Sequence, residues 1–396
     1  MSTKTLKLFI ASSIMIASSG VSGHAEMASS AQAKPQVSEV HLNFGDNIGV
    51  ERTLRLPLLQ QKGHYYLSLV DSELMFWDIK FVRQKDGSLL IQNPDITAVL
   101  TQDSSWITLN GAKMKRGGPI LTMLNGKPYL ALGELASLLG QRVTYDAKTR
   151  TIDFDYKGRY FKGYPNENIT VWINQTEGQL YMSEGDEHPR QIAAIGKLGD
   201  DRFSAYAEMV SEDNIVITVN DHYESRSSDQ YKTYHLLFYK GELVRQTATD
   251  MEHDRTVQAG DYILLPDGDQ VLWVRPDGTI EKAIDYVGIL GEQATIVYAD
   301  QDIILFQTVA NHLHVLYSLN DQSTVYLYKE LLPLMEQRMI EKDGYSDDLT
   351  FLGRDGDTLK FIHRFIAIDG FDGPSTEYKY DLKQPTSSSS TEVTNN

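Results

Sequence analysis

Apolar residues follow two rhythms along this chain, and the rhythm changes near Lys157. Upstream, GHYYLSLVDSELMFWDIKFVRQKDGSLLI from Gly63 aligns over its full length with GKPYLALGELASLLGQRVTYDAKTRTIDF from Gly126. The alignment pairs Tyr66 with Tyr129, Leu67 with Leu130, Leu69 with Leu132 and Leu89 with Ile152, and a local slip sets Phe81 opposite Tyr145. Each copy predicts a turn glycine, a short strand, a helix and an alternating hairpin. In the second copy Leu135, Leu138 and Leu139 form the helical stripe, and Gly140 stands where a left-handed C-terminal cap is wanted. Neither unit buries its helix alone. Packing the two together, with a hairpin over 107–114 turning at Asn110 and Gly111 between them, predicts an α+β N-terminal module built on a duplicated strand-helix-hairpin unit over 37–156.

Downstream, β-branched and aromatic runs separated by Asp, Asn and Gly turns predict an all-β segment over 157–383. Strands open near Ile169, Ile215, Tyr262, Ile303 and Leu349, following Asn168, Asn214, Asp261, Asp302 and Asp348. YILLPDGDQVLWVRPDGTIEKA and IILFQTVANHLHVLYSLNDQSTVYLYKEL repeat one order of events, two strands meeting at a turn and then a polar return strand. Such units bury their faces only between neighbours. The expected architecture is therefore β-propeller-like with about five repeats, the last completed by a strand over 377–382. A two-sheet sandwich or an irregular β-solenoid fits the same pattern. Residues 328–342 predict a helical insertion between the fourth and fifth units.

The two ends read differently. Lys4 and Lys7 precede an apolar run at 8–16, broken by Ser12 and Ser13 and followed by small residues to Ala25, which predicts a Sec-type signal peptide over 1–25. Cleavage follows Ala25 or the later small-x-small match ending at Ala33. The run is shorter than the roughly 20 residues that cross a bilayer. A Ser/Ala/Gln-rich spacer covers 26–36, and the low-complexity tail 384–396 predicts disorder, with neither a sortase-type motif nor a hydrophobic stop. The expectation is a secreted or cell-surface protein retained non-covalently.

Composition narrows the function classes. The chain has 396 residues and no cysteine, which removes disulfides, a lipid-bearing thiol and a thiolate nucleophile, and suggests a monoderm bacterial source. Formal net charge is −17, and loss of Lys4 and Lys7 takes it to −19. That charge repels phosphate backbones and anionic lipid, arguing against nucleic acid as a partner.

Ile107 to Gly111, Pro119, Gly126, Tyr129, Leu130, the 135–140 helix, Val143, Tyr145, Asp146, Thr151, Ile152 and Phe154 together resemble the copper amine oxidase N-terminal-like, or stalk, domain of spore-forming bacteria. Ala131 departs from the pattern, standing where proline is usual. The resemblance implies a wall-facing or spacer module without copper or oxidase chemistry.

Candidate chemistry is sparse. His312 and His314, two apart on a predicted strand, would present their rings to one side and could share a metal; the plainer reading is a pair of strand histidines. Acidic turns recur at Asp267 with Asp269, Asp300 with Asp302, Asp355 with Asp357 and Asp369 with Asp372, without the twelve-residue calcium-loop pattern. Tyrosines cluster at Tyr223, Tyr231, Tyr234 and Tyr239 and again at Tyr378 and Tyr380, where they stack on sugar rings, anchor a protein partner or simply fill strands. No nucleophile elbow, phosphate loop or zinc-protease helix occurs. No catalytic, cofactor-binding or metal residue is assigned. The expectation is a non-catalytic binding or structural protein contacting a wall glycan or an extracellular protein. The alternative is an extracellular carbohydrate-active hydrolase or lyase using acidic residues of the β segment, and a third is an envelope or sporulation sensor.

Overall fold

The computed structural model describes residues 36–45, 51–61, 64–146, 148, 151–154, 156, 158–199, 202–225, 228–250, 257–366 and 372–383. The expected signal peptide over 1–25, all but the last residue of the expected spacer, the expected tail over 384–396 and Asp369 lie outside these residues, as do the side chains of Tyr223 and Tyr231.

Among the described residues the chain is mostly β and forms seven sheets. Two belong to the stretch before Lys157. One has seven strands in the order 143–146, 151–154, 36–45, 51–61, 64–68, 127–131 and 121–124; the other is a five-stranded meander from Lys80 to Lys115. The strands matched by the duplication lie side by side and antiparallel, with Leu67 opposite Leu130, Tyr66 opposite Ala131 and Ser68 opposite Tyr129. The two copies are thereby related by a local twofold about the Leu67–Leu130 pair. Each strand runs into a helix, α1 (Leu69–Met75) and α2 (Leu132–Leu138). Ser68 caps α1 by accepting the Asp71 amide at 3.1 Å, whereas Ala131 offers α2 no such bond. Gly140 has φ +69° and Gln141 N–H donates to Ala136 O at 2.8 Å, so α2 ends in the left-handed cap its sequence predicts. Asn110 and Gly111, both at positive φ, turn the hairpin between Trp106–Leu109 and Ala112–Lys115. Leu67, Phe76, Leu130, Leu135, Ile152 and Phe154 meet in one core.

Five antiparallel sheets follow, each a meander in chain order, four of four strands and the last of three. They start at Tyr160, Arg202, Val257, Ala294 and Leu349. Their faces alternate between neighbours. Ile215, Ile217 and Leu236 of the second sheet meet Val171, Ile173 and Leu180 of the first, while Val216 and Leu237 meet Ile263 and Leu265 of the third. Trp273 packs with Phe306 across the third and fourth sheets, and Leu305 with Phe361 across the fourth and fifth. Burial on both faces is why these strands read as unbroken apolar runs, each such side chain contributing about 1.5–3 kcal/mol. Among the described residues, no apolar cluster joins the fifth sheet to the first. The first sheet instead meets the N-terminal sheets: the Trp172 indole donates to Asp78 O at 2.9 Å and Gln92 donates to Glu187 O at 2.6 Å. At the other end, Thr350, Glu377 and Lys379 of the fifth sheet are exposed, and the apolar Leu352 is exposed beside them.

A short helix, α3 (Tyr286–Leu290), joins the third and fourth sheets. The expected insertion before the fifth sheet is two helices, α4 (Leu327–Leu331) and α5 (Leu334–Asp343). Pro333 forces Leu332 into extended backbone and separates them.

Candidate functional site

The two histidines do not converge. Asn311 and His312 lie in the turn before the strand, with His312 exposed at φ +53°, while His314 opens the strand and is buried. His312 therefore stands outside the strand alternation that would have set its ring beside that of His314. Asp347 holds His314 instead, taking its backbone N–H at 2.6 Å and lying 3.0 Å from ring Nδ1. Among the described residues, no group of three His, Asp or Glu side chains is arranged to hold a metal.

The acidic turns do converge, through a residue the sequence left unmarked. Arg354, on the first strand of the fifth sheet, reaches across to the fourth, where its guanidinium bonds Asp300 and Asp302, the latter at 3.0 Å, and donates to Gly356 O at 2.6 Å. Nearby, Lys383 pairs with Asp357. Between these contacts and the 318–324 turn opens a cleft of about 620 Å³ lined by Asp302, Asn320, Asp321, Arg354 and Tyr380. Tyr378, the neighbouring candidate, is buried in the core between the sheets, so only one of that pair lines the cleft. Of the other acidic turns, Asp269 accepts from Gln293 at 2.8 Å and Asp372 lies in the last strand.

Burial pushes the Asp300 carboxyl up, but hydrogen bonds from the Asp302 amide, Tyr298 and Arg354 outweigh it and hold the group below the usual carboxylate range. Burial, then the bond to Asp300, pushes the Tyr298 hydroxyl up to about 12. Hydrogen bonds from Ser318 and Ser323 keep Asp321 low as well. Glycoside hydrolysis wants one carboxyl raised to deliver a proton and a second free to attack or to activate water. Here Asp300, Asp302 and Asp357 are engaged by cations and Asp321 stays ionised. The arrangement is suited to holding a ligand.

A second polar cluster joins the N-terminal sheets to the first of the five. Asp78 accepts from the Tyr156 hydroxyl and from the Arg159 amide, and Lys162 donates to Ile79 O. Burial pulls the Lys162 ammonium down to about 8, against the upward pull of Asp78 and Glu73. An unfolded chain with an ordinary lysine near 10.5 binds more protons across that interval, so stability should rise as pH goes from 8 toward 10.5. Urea midpoints at about pH 7.5 and about pH 9.5 check this, with the rise expected in the wild type and absent in Lys162→Met.

No family model and no curated protein matches the chain. Among solved structures it is similar to the acylaminoacyl peptidase of Pyrococcus horikoshii, at 8% identity and a TM-score of 0.25, over 74% of this chain and 42% of that one. It is also similar to the WD40 domain of SCAP from fission yeast, at 10% identity and a TM-score of 0.25, over 83% and 63%. Hsv2p of Kluyveromyces lactis follows at 8% identity and a TM-score of 0.16, over 78% and 99%. The chain thus spans less than two thirds of the first two, and likenesses at these scores carry no argument about fold or activity.

Proposed function

We propose that this chain is an exported, non-catalytic binding protein, held non-covalently at a bacterial surface. In this reading residues 37–156 form an α+β stalk-like module resembling the copper amine oxidase N-terminal-like family. Residues 157–383 form a β array, propeller-like in the construction of its five units. The partner, a wall glycan or an extracellular protein, is held in the cleft between the fourth and fifth units. The observation that carries the reading is that cleft: its walls are fixed by Arg354 across two sheets, and its carboxylates are already engaged or held ionised. Its volume falls in the range of ligand sites, about 300–1,000 Å³.

The test is to incubate the protein without residues 1–25 with a purified wall fraction and with soluble polysaccharides. Pelleting with the wall and no release of reducing ends is the expected result. Release of reducing ends would overturn the non-catalytic reading in favour of a hydrolase or lyase.

A further inference from the structure

We infer that the cleft between the fourth and fifth sheets takes an uncharged saccharide. The inference rests on the binding reading above and names the ligand chemistry of the same site. Two kinds of surface meet in the cleft. Its floor is apolar: Ile303 and Leu316 belong to the core beneath, and Val325, Tyr380 and Leu382 pack against that core while lining the opening. Its rim is polar, with Ser318, Asn320, Asp321, Ser323 and Thr324 from one turn on one side. Asp302, Arg354 and Asp357 stand on the other. Hydroxyl and amide groups both donate and accept, and carboxylates accept only.

Other ligand classes fit this surface less well. An anion would meet Asp302, Asp321 and Asp357 against Arg354 and Lys383, both already paired with those carboxylates, in a stretch from residue 157 onward that carries 21 Lys and Arg against 40 Asp and Glu. A cation would find Asp302 already paired with Arg354 at 3.0 Å and Asp357 with Lys383, which leaves Asp321, bonded by Ser318 and Ser323, as the single carboxylate of the three it could approach without displacing a side-chain cation. A wholly apolar molecule would leave the rim groups dehydrated without partners. A sugar ring presents an apolar C–H face to the floor and a rim of hydroxyls, each donor and acceptor, to the walls. Asp321, held low by Ser318 and Ser323, remains an acceptor into mildly acid solution.

The experiment titrates the full chain calorimetrically with cello-, chito- and malto-hexaose and with oligogalacturonate as the anionic control. Asp321→Asn, Asn320→Ala and Tyr380→Ala are run in parallel, each checked for an unchanged melting temperature. Saturable binding of a neutral hexaose is expected, weakened about tenfold or more by a rim substitution, the scale of one lost charged hydrogen bond. Asn320→Ala and Asp321→Asn, both in an exposed turn, keep the test open if Tyr380→Ala does not fold. Binding of oligogalacturonate alone, or neutral binding indifferent to all three substitutions, would overturn the inference. Wall pelleting that is lost in the rim variants but not competed by any neutral hexaose would also overturn it, while leaving the cleft as the binding site. Pelleting that survives all three substitutions would overturn the cleft reading, and with it the inference.

Discussion

Asp347→Ala is expected to destabilise the chain by about 3–5 kcal/mol. Asp347 and His314 are 1% and 2% exposed, so neither has water to fall back on. One carboxylate takes the His314 amide at 2.6 Å and the Leu349 amide at 3.1 Å and lies 3.0 Å from the His314 ring nitrogen. It therefore ties the third strand of the fourth sheet to the first strand of the fifth. Truncation strands two buried amide donors and frees the imidazole of His314, which meets Phe361 in an edge contact at 6.0 Å. Asp347→Asn keeps the shape and one acceptor and should cost less, about 1–2 kcal/mol. Urea unfolding followed by near-UV circular dichroism measures both, and an Asp347→Ala midpoint within error of wild type would show that the bonds do not hold the sheets together.

Asp78→Ala is expected to cost about 2–4 kcal/mol and to uncouple the N-terminal sheets from the five that follow. Burial raises the Asp78 carboxyl, an effect offset in part by the Tyr156 hydroxyl, the Arg159 amide and the Lys162 charge. Tyr156 stacks with Phe154 at 5.9 Å and meets the edge of Phe76 at 5.0 Å, so loss of its hydrogen bond loosens the N-terminal core as well as the junction. On the other side, the Trp172 indole bonds the Asp78 backbone carbonyl at 2.9 Å, a bond the alanine variant keeps, so the expected loss comes from the carboxylate's own partners. The wild type should melt in one calorimetric transition and the variant in two. A single transition in Asp78→Ala, at the wild-type temperature, would mean that the junction is held by other contacts.

Much of the architecture was legible because it depends on near neighbours in sequence. Asn110 with Gly111 specifies its hairpin turn, and Gly140 its cap, through local backbone conformation alone. The run from Ile215 to Val219 announces a strand buried on both faces, and the structure supplies a sheet for each face. Legibility ended where one residue changed the local geometry or where distant residues met. His312 in a left-handed turn displaced the strand that would have aligned it with His314. Pro333 divided a helix that periodicity read as continuous. Arg354 meets Asp300 and Asp302 from more than fifty positions away, and Trp172 meets Asp78 across an even longer separation. No spacing rule reaches that far, so the cleft could be anticipated only as a set of acidic turns and one of two tyrosines.

The most direct test of the account is retention on a purified wall fraction by the wild type and by Thr324→Trp, which places a large ring in the mouth of the cleft without removing a core contact. The expected result is that the wild type pellets, and that the variant melts at the same temperature and stays in solution. Equal retention of the two proteins would contradict the account, because the partner would then be held somewhere other than between the fourth and fifth sheets.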